Sequence, residues 1–208
     1  MILVGQYDSP YTRRVAISLR VLGFDYEHDA RSVFGDFDSL RVTNPLGRIP
    51  ALVLDDGEVL IDSAAILDWL DETVGPKRAL LPPNGAARRS ALRRIALANG
   101  AVDKIGGGAN YEKLIRPSRY RWPEWIERCI KQGVGAVAAL EAESWPDDAP
   151  IDQAQITTGC ALDYIDLTAP ELMPAGRYRA LDGLMQLLRA RPEFQATAWT
   201  SYAVPRAD

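Results

Sequence analysis

Two short segments of the chain combine an oxygen-bearing side chain with a helix start. In the first, Ser9 precedes Pro10; serine is a favoured N-cap residue and proline suits the first helical position. In the second, Asp62 and Ser63 precede an apolar helical pattern. The free N–H groups and positive dipole end of a helix start favour an anion such as a carboxylate or a thiolate. Both segments are therefore candidate anion sites, although each residue could also serve only as a helix cap.

Nucleophilic catalysis by a paired side chain has little support. The single histidine, His28, follows a strand-like run between two acidic residues, which indicates a solvated loop position rather than a general base. Cys129 and Cys160 lie in separate helical patterns and form no Cys-x-x-Cys pair. We expect both to be small buried hydrophobic residues, with no disulfide and no metal site.

The composition is that of an ordinary folded protein. The chain has 208 residues, 47% of them hydrophobic and 25% charged, with a formal net charge of −4. No basic stripe with interleaved aromatic residues indicates a nucleic-acid partner. No apolar run approaches the roughly 20 residues that a membrane span requires, and the start lacks the pattern of a signal peptide. The prediction is a cytoplasmic protein without membrane or nucleic-acid partners.

The elements that must position these residues form a mixed α/β pattern in the first 75 residues. Strand-like segments are predicted at 2–7, 24–27, 49–54 and 58–61. A helix from Ser9 to Gly23 joins the first two strands, and a helix-length crossover implies parallel pairing. Residues 30–43 are irregular with a possible short helix. The order β-α-β, then β-β-α, is typical of a thioredoxin-like domain.

The remainder of the chain has a helical pattern. A breaker-rich linker is predicted at 76–85, between a domain at 1–75 and an all-helical domain at 86–208. Asp152 and Gln155 form a capping-box pattern ahead of another helix. Glycines at 106–108 interrupt the first long helix, and each costs about 1 kcal/mol relative to alanine. Close helix packing, an open cleft or a local break would each explain them.

Three motifs in this order and spacing carry a family resemblance. The first is Ser9-Pro10-Tyr11-Thr12-Arg13-Arg14, the second is the nine residues of 44–52 (Asn-Pro-Leu-Gly-Arg-Ile-Pro-Ala-Leu), and the third is Asp62-Ser63-Ala64-Ala65-Ile66. Together with the capping box they resemble the soluble glutathione S-transferases, and the likeness spans about residues 2–195. It is greatest to small bacterial members with a Ser-Pro-aromatic motif.

The resemblance implies a binding site for glutathione, used as co-substrate without a metal. Pro50 would be the cis-proline of the thioredoxin fold, exposing the backbone of Ile49 to the cysteinyl part of the tripeptide. Asp62 would accept from the α-ammonium of the γ-glutamyl end, although the family usually has Glu or Gln there. Ser63 would bind the neighbouring carboxylate. Arg48 would meet the glycyl carboxylate, or is merely an exposed charge.

The catalytic residue implied by the resemblance is Ser9. Its hydroxyl would donate to the sulfur of glutathione and stabilise the thiolate, without acting as a nucleophile. The alternatives are that Ser9 is only an N-cap, or that Tyr7, near the end of the first strand, does this work. Because the motif has no cysteine, thiol transfer through mixed disulfides is disfavoured.

The helical domain should supply the pocket for a small hydrophobic electrophile, which Tyr11, Asn110 and Tyr111 are expected to line. Asp103 is expected at a solvated helix position, or facing a partner's glutathione site. The resemblance implies a homodimer and an enzyme of detoxification, a glutathione S-transferase. One alternative is a non-enzymatic binding protein of the stringent-starvation type, and another is a glutathione-dependent peroxidase or isomerase.

Overall fold

The computed structural model describes residues 1–147 and 149–199, as a small mixed sheet with helices followed by a helical region. The strands are β1 (Ile2–Val4), β2 (Glu27–Asp29), β3 (Ala51–Val53) and β4 (Val59–Ile61). The helices are α1 (Pro10–Leu22), α2 (Phe37–Thr43), α3 (Ser63–Val74), α4 (Gly85–Val102), α5 (Tyr111–Leu114), α6 (Pro123–Glu141), α7 (Gln153–Thr168), α8 (Arg179–Arg189) and α9 (Pro192–Gln195). A π-helical segment, Asp103–Asn110, joins α4 to α5, and single 3₁₀ turns occupy Ser118–Tyr120 and Pro170–Leu172.

The four strands form one sheet in the order β2-β1-β3-β4. Strands β1 and β2 are parallel, whereas β3 runs antiparallel to both β1 and β4. In the centre of the sheet, Leu3 lies opposite His28 on one side and Leu52 on the other. This topology confirms the predicted thioredoxin-like arrangement, with α1 as the crossover.

The second strand begins three residues later than predicted. Gly23 ends α1 in the left-handed conformation (φ 79°), and the N–H of Phe24 still donates to the carbonyl of Leu19. Residues 24–26 are therefore occupied by the exit from the helix, and pairing with β1 starts at Glu27. A strand assignment at 24–27 overlooked that a glycine cap of this kind uses the backbone of the following residue.

His28 is exposed to solvent, as predicted, but it lies in a strand and not in a loop. His28 is the central residue of β2, and its Nε2 lies 2.8 Å from the carbonyl oxygen of Gly5. Its ring stacks on that of Tyr7, with 3.8 Å between the ring centroids. The imidazole is therefore part of the sheet edge rather than of a loop.

One hydrophobic core extends through both halves of the chain. It includes Leu3, Ile17, Leu52 and Ile66 from the first half and Ala98, Val137, Ile156 and Phe194 from the second. The stretch from 75 to 84 has neither helix nor strand, so the change from mixed to helical structure falls there. The boundaries at 75 and 85 stay a prediction, since the core itself has no boundary at that point.

Helix α1 lies in the middle of this core and carries two buried cations. Arg13 donates to the Asp163 carboxylate at 2.6 Å and to the Phe194 carbonyl at 3.2 Å. Arg14 donates to the Ser63 hydroxyl at 2.6 Å and to the Asn99 amide oxygen at 3.3 Å. Because a buried charge is costly without partners, these contacts tie α1 to helices from both halves of the chain.

All three expected explanations apply to the glycine run. It is a local break, since 103–110 is π-helical. It is also a close packing site, because a Cβ on Gly106 would lie 2.6 Å from the Tyr164 hydroxyl and one on Gly108 would lie 2.7 Å from the Cys129 sulfur. The middle glycine, Gly107, has nothing within 4 Å and borders a cleft.

Two further sequence predictions are confirmed. The capping box is complete, because Asp152 accepts from the Gln155 backbone N–H and Gln155 accepts from that of Asp152. Cys129 and Cys160 are both buried, and burial raises the pKa of the Cys160 thiol to about 12. Among the described residues, no helix is both long and apolar enough to cross a membrane.

Two glycines on α6 allow a matched test of the helix packing. A Cβ on Gly133 would lie 2.5 Å from Ile105, whereas one on Gly135 would meet nothing within 4 Å. We expect Gly133→Ala to lower the free energy of unfolding by about 1–2 kcal/mol through overpacking. Gly135→Ala should raise it by about 0.5–1 kcal/mol, because alanine is the better helix former. Chemical denaturation measures both; equal effects would contradict the close approach of α6 to the π-helical segment.

Candidate functional site

The start of α1 presents a serine hydroxyl to a cleft. Ser9 is the N-cap, with extended backbone angles, and its Oγ accepts the N–H of Thr12 at 3.4 Å. The hydroxyl therefore keeps its hydrogen for a second partner. Pro10 follows at the first helical position, where a backbone N–H would have no partner within the helix, so its lack of an N–H costs no hydrogen bond. Ser9 thus has the geometry of an N-cap and of a donor to a ligand at once.

The loop before β3 is shaped by a buried asparagine and a cis peptide bond. The Asn44 side chain donates to the Arg48 carbonyl at 2.8 Å and accepts from the Leu46 N–H at 3.1 Å. The bond from Ile49 to Pro50 is cis, as predicted. Ile49 and the exposed Arg48 both border the cleft. The asparagine therefore holds the backbone that carries these two residues.

The start of α3 forms the opposite, polar end of the cleft. Asp62 has a left-handed backbone (φ 68°), is exposed, and accepts the Ala64 N–H at 2.8 Å. A non-glycine residue in this region of φ is uncommon and costs about 1–3 kcal/mol, a cost often found at functional sites. Ser63 is buried, and its hydroxyl accepts from Arg14. Burial lowers the pKa of the Arg14 guanidinium, which Asp62 and Asp103 partly offset.

Two adjacent cavities make up the cleft. The larger, of about 380 Å³, lies beside Ser9 and is lined by Gln6, Asp8, Ser9, Pro10, Tyr11, Val33, Phe34, Phe37, Gly47, Arg48, Ile49, Val102, Asp103, Gly107, Tyr111 and Tyr164. The smaller, of about 250 Å³, is lined by Tyr11, Arg14, Asn44, Leu46, Arg48, Ile49, Pro50, Ile61, Asp62, Ser63, Ala64, Asn99 and Asp103. The four residues that they share show that the two cavities are neighbours.

A contact between Tyr11 and Asp103, which both border the two cavities, crosses the cleft. The Tyr11 hydroxyl donates to the Asp103 carboxylate, which links the start of α1 to the π-helical segment. Burial and this hydrogen bond raise the pKa of Tyr11 above its usual range. Asp103 is exposed, as expected of a solvated helix position, and it also borders the cleft of its own chain; that it faces a partner's site stays a prediction. The sequence did not indicate this contact, because Asp103 is an acidic residue on a polar helix face.

Tyr7, the alternative to Ser9, lies elsewhere. Its hydroxyl is 2.9 Å from that of Tyr26, which also accepts from Arg20 at 3.1 Å. Burial and the hydrogen bond with Tyr26 raise the pKa of Tyr7 above its usual range. Among the described residues that line the two cavities, Ser9 is present and Tyr7 is not.

The structure brings together most of the residues singled out from the sequence. Tyr11 and Tyr111 border the larger cavity, and their role in binding a second substrate stays a prediction. Asn110 does not, because it is buried and its amide donates to the Thr168 carbonyl at 3.3 Å. The π-helical turn explains the difference, since it changes which face of the segment each residue occupies.

Several lining residues were missed by sequence reasoning. Phe34 and Phe37 come from the stretch that was predicted to be irregular, where no periodicity indicated a buried face. Phe34 meets the Tyr111 ring edge-on, with 5.7 Å between the centroids. Arg14 and Asn99 lie in helices. The sequence feature that could have identified them as lining residues is a charged or amide side chain on a helix face that is otherwise apolar. In the part of the chain that is described, no three His, Cys, Asp or Glu residues could hold a metal ion.

Comparison with known proteins agrees with this geometry. The family described as "Glutathione S-transferase, N-terminal domain" matches residues 3–78. Maleylacetoacetate isomerase from Pseudomonas aeruginosa is 33% identical over 148 residues, which are 67% of this chain and 69% of the isomerase.

Solved structures extend the likeness over nearly the whole chain. A glutathione transferase family member from Pseudomonas fluorescens Pf-5, with bound glutathione, is 34% identical, with a TM-score of 0.83 over 94% of this chain and 97% of that one. A glutathione S-transferase from Methylobacterium radiotolerans, in complex with glutathione sulfonate, is 25% identical, with a TM-score of 0.88 over 100% and 99%. Likeness in sequence and in fold thus extends over most of the chain, and the chain belongs to the glutathione S-transferase family.

Proposed function

We propose that this chain binds glutathione along the cleft and transfers it, as a thiolate, to a hydrophobic electrophile. The observation that carries the proposal is that one cleft joins the Asp62–Ser63 helix start to the Ser9 hydroxyl, with Ile49 between them. The tripeptide has an α-amino acid group at one end and a thiol in its middle. The two helix starts match these groups in order.

The smaller cavity has the charges that the γ-glutamyl end requires. The Asp62 carboxylate suits the α-ammonium, while the Ser63 hydroxyl and the N-terminus of α3 suit the α-carboxylate. Arg14 holds the Ser63 hydroxyl and adds a positive charge behind it. Arg48, which borders both cavities, is the proposed partner of the glycyl carboxylate. The cis bond before Pro50 fits Ile49 as the backbone partner of the cysteinyl residue.

The larger cavity suits the chemical step. The thiol gives up its proton to water, and the N-terminus of α1 and the Ser9 O–H stabilise the sulfur anion. The sulfur then forms a bond to the electrophilic carbon, which either expels a leaving group or takes up a proton after addition. The described lining of this cavity carries one arginine, Arg48, against Asp8 and Asp103, and is otherwise mainly aromatic and aliphatic. An uncharged electrophile fits this lining better than an anion.

Isomerisation is the second candidate, favoured by the likeness to maleylacetoacetate isomerase. The sulfur of glutathione would add to one carbon of a cis double bond, the resulting single bond would rotate, and the sulfur would leave again. The same Ser9 hydroxyl would serve both directions of the step. Glutathione would be regenerated, so this reaction differs from transfer in its consumption of thiol.

A two-fold homodimer is proposed as the assembly. Among the described residues, Leu46 and Ile61 are large apolar side chains that are at least one-third exposed. Leu46 and Ile61 also border the smaller cavity. A partner subunit on this side would cover apolar surface and narrow the entrance to the proposed glutathione site.

Binding of glutathione is tested by calorimetric titration of the wild-type chain and two variants. Asp62→Asn should weaken binding about 10-fold, since it removes the charge of one ion-assisted hydrogen bond. Asp56→Asn is the matched control, because Asp56 is also exposed and also accepts an N–H two residues on, from Glu58 at 3.0 Å. It should bind like wild type. Absence of binding to the wild type would refute the proposed function and favour a binding protein of another kind.

The role of Ser9 is tested by turnover with a hydrophobic electrophile. Ser9→Ala should lower kcat about 10- to 100-fold, because one hydrogen bond to an anion is lost, while glutathione affinity changes little. The variant also loses an N-cap worth about 1 kcal/mol, so thermal unfolding is measured alongside. Ser9→Thr keeps the hydroxyl and should restore most of the rate. Wild-type turnover in Ser9→Ala would remove this residue from the mechanism.

Transfer and isomerisation are separated by the balance of thiol. Incubation with an uncharged aromatic electrophile should consume one glutathione per product formed. Incubation with a cis-unsaturated diketo acid should consume none, whether or not the double bond isomerises. Isomerisation faster than transfer, without loss of thiol, would make the second candidate the principal activity.

A further inference from the structure

The three consecutive glycines of the π-helical segment lie in three different environments. A side chain on Gly106 would collide with Tyr164, and one on Gly108 with Cys129. A Cβ on Gly107 would meet nothing within 4 Å, and Gly107 is exposed to the larger cavity. Packing therefore requires the two outer glycines but does not require the middle one.

Backbone conformation does not require glycine at this position either. Seven glycines among the described residues have a positive φ, and Gly107 is not one of them. At a position with helical backbone angles and open space around it, alanine would ordinarily give the more stable helix, because it loses less conformational entropy on folding than glycine. The remaining consequence of glycine at this position is the space that it leaves in the cavity.

The π-helical geometry places this space in the cavity wall. The N–H of Tyr111 donates to the Gly106 carbonyl, five residues earlier, instead of four. Such turns widen the helix locally and are frequent at functional sites. At Gly107 the wall of the cavity is thus bare backbone, whereas Tyr111 and Tyr164 contribute rings to the same cavity.

The other rings of this cavity come from the first half of the chain. Phe34 contacts the Tyr111 ring edge-on, and Phe37 packs against Gly47, where a Cβ would lie 2.4 Å from the phenyl ring. Aromatic edges and faces favour a further aromatic group over an aliphatic chain of similar size. The cavity volume of about 380 Å³ is at the lower end of ligand sites, which span about 300–1,000 Å³.

We propose that Gly107 is the specificity-determining residue of the second-substrate site, and that it keeps room for a flat aromatic electrophile on the sulfur of glutathione. This inference rests on the proposed function, since it takes the sulfur to lie beside Ser9. A side chain at 107 would fill the space that the aromatic group occupies, without touching the polar end of the cleft at Asp62.

The test compares binding of glutathione, S-methylglutathione and S-benzylglutathione by calorimetry. The variants are Gly107→Ala and Gly107→Leu, with Gly135→Ala and Gly135→Leu as matched controls on an exposed helical glycine outside the cleft. Wild type should bind the benzyl compound about 10-fold more tightly than the methyl compound. Gly107→Leu should abolish this preference and Gly107→Ala should reduce it about 3-fold, with glutathione affinity within about 2-fold of wild type. The Gly135 variants should keep the full preference.

The outcomes separate this inference from the proposal on which it rests. A benzyl preference that persists in both Gly107 variants, or is absent from the wild type, overturns the role of Gly107 while glutathione binding stands. Failure of the wild type to bind any of the three compounds overturns the proposed function and this inference together. Thermal unfolding identifies a misfolded leucine variant, in which case the alanine variant decides.

Discussion

The two adjacent arginines of α1 hold the two halves of the chain together. Arg13 is bound by Asp163 and by the carbonyl of Phe194, and Arg14 by Ser63 and Asn99. Burial of either cation would be costly without these partners, and the packing of α1 against the surrounding helices supplies all of them. Because α1 also begins at Ser9, the same contacts determine where the serine hydroxyl lies relative to the start of α3. The same contacts therefore stabilise the core and determine the geometry of the cleft.

The cleft has a polar end and an apolar end, and few residues separate them. The polar end consists of a helix start and a carboxylate, which come from short local signals, and of the Arg14 guanidinium, which distant segments of the chain bury. The apolar end is built from the rings of Phe34 and Phe37, before and at the start of α2, and from those of Tyr111 and Tyr164, in α5 and α7. The contact of Tyr11 with Asp103 lies between the two ends. Charge recognition and hydrophobic recognition can thus vary independently in this site, because separate segments of the chain supply them.

Local signals made the first part of the fold predictable. A serine before a proline, a capping box and a glycine stop each depend on neighbours within four residues, and the corresponding ends of α1 and α7 lie where they were expected. The start of β2 was misplaced because the glycine cap extends into the residues that follow it. The anion-binding ends of the site were predictable for the same reason, since a helix start is visible in the sequence.

Features that depend on distant neighbours could not be predicted. Nothing near Asn110 in the sequence shows that a π-helical turn directs it toward Thr168. Phe34 lies in a stretch without periodicity, and its role depends on Tyr111, which is 77 positions later in the sequence. Arg14 has the residue type of a surface position, although it is buried by helices that follow much later. In each case the information lies in the packing of elements and not in the segment itself.

The burial of both cysteines has a chemical consequence for a protein that handles electrophiles. Cys129 and Cys160 have at most 1% of their surface exposed, and the Cys160 thiol, with a pKa of about 12, holds its proton at neutral pH. In the proposed function, an electrophile that enters the cleft thus meets a single reactive sulfur, that of the bound tripeptide. Burial thus shields the protein's own cysteines from alkylation by the reagents that it consumes.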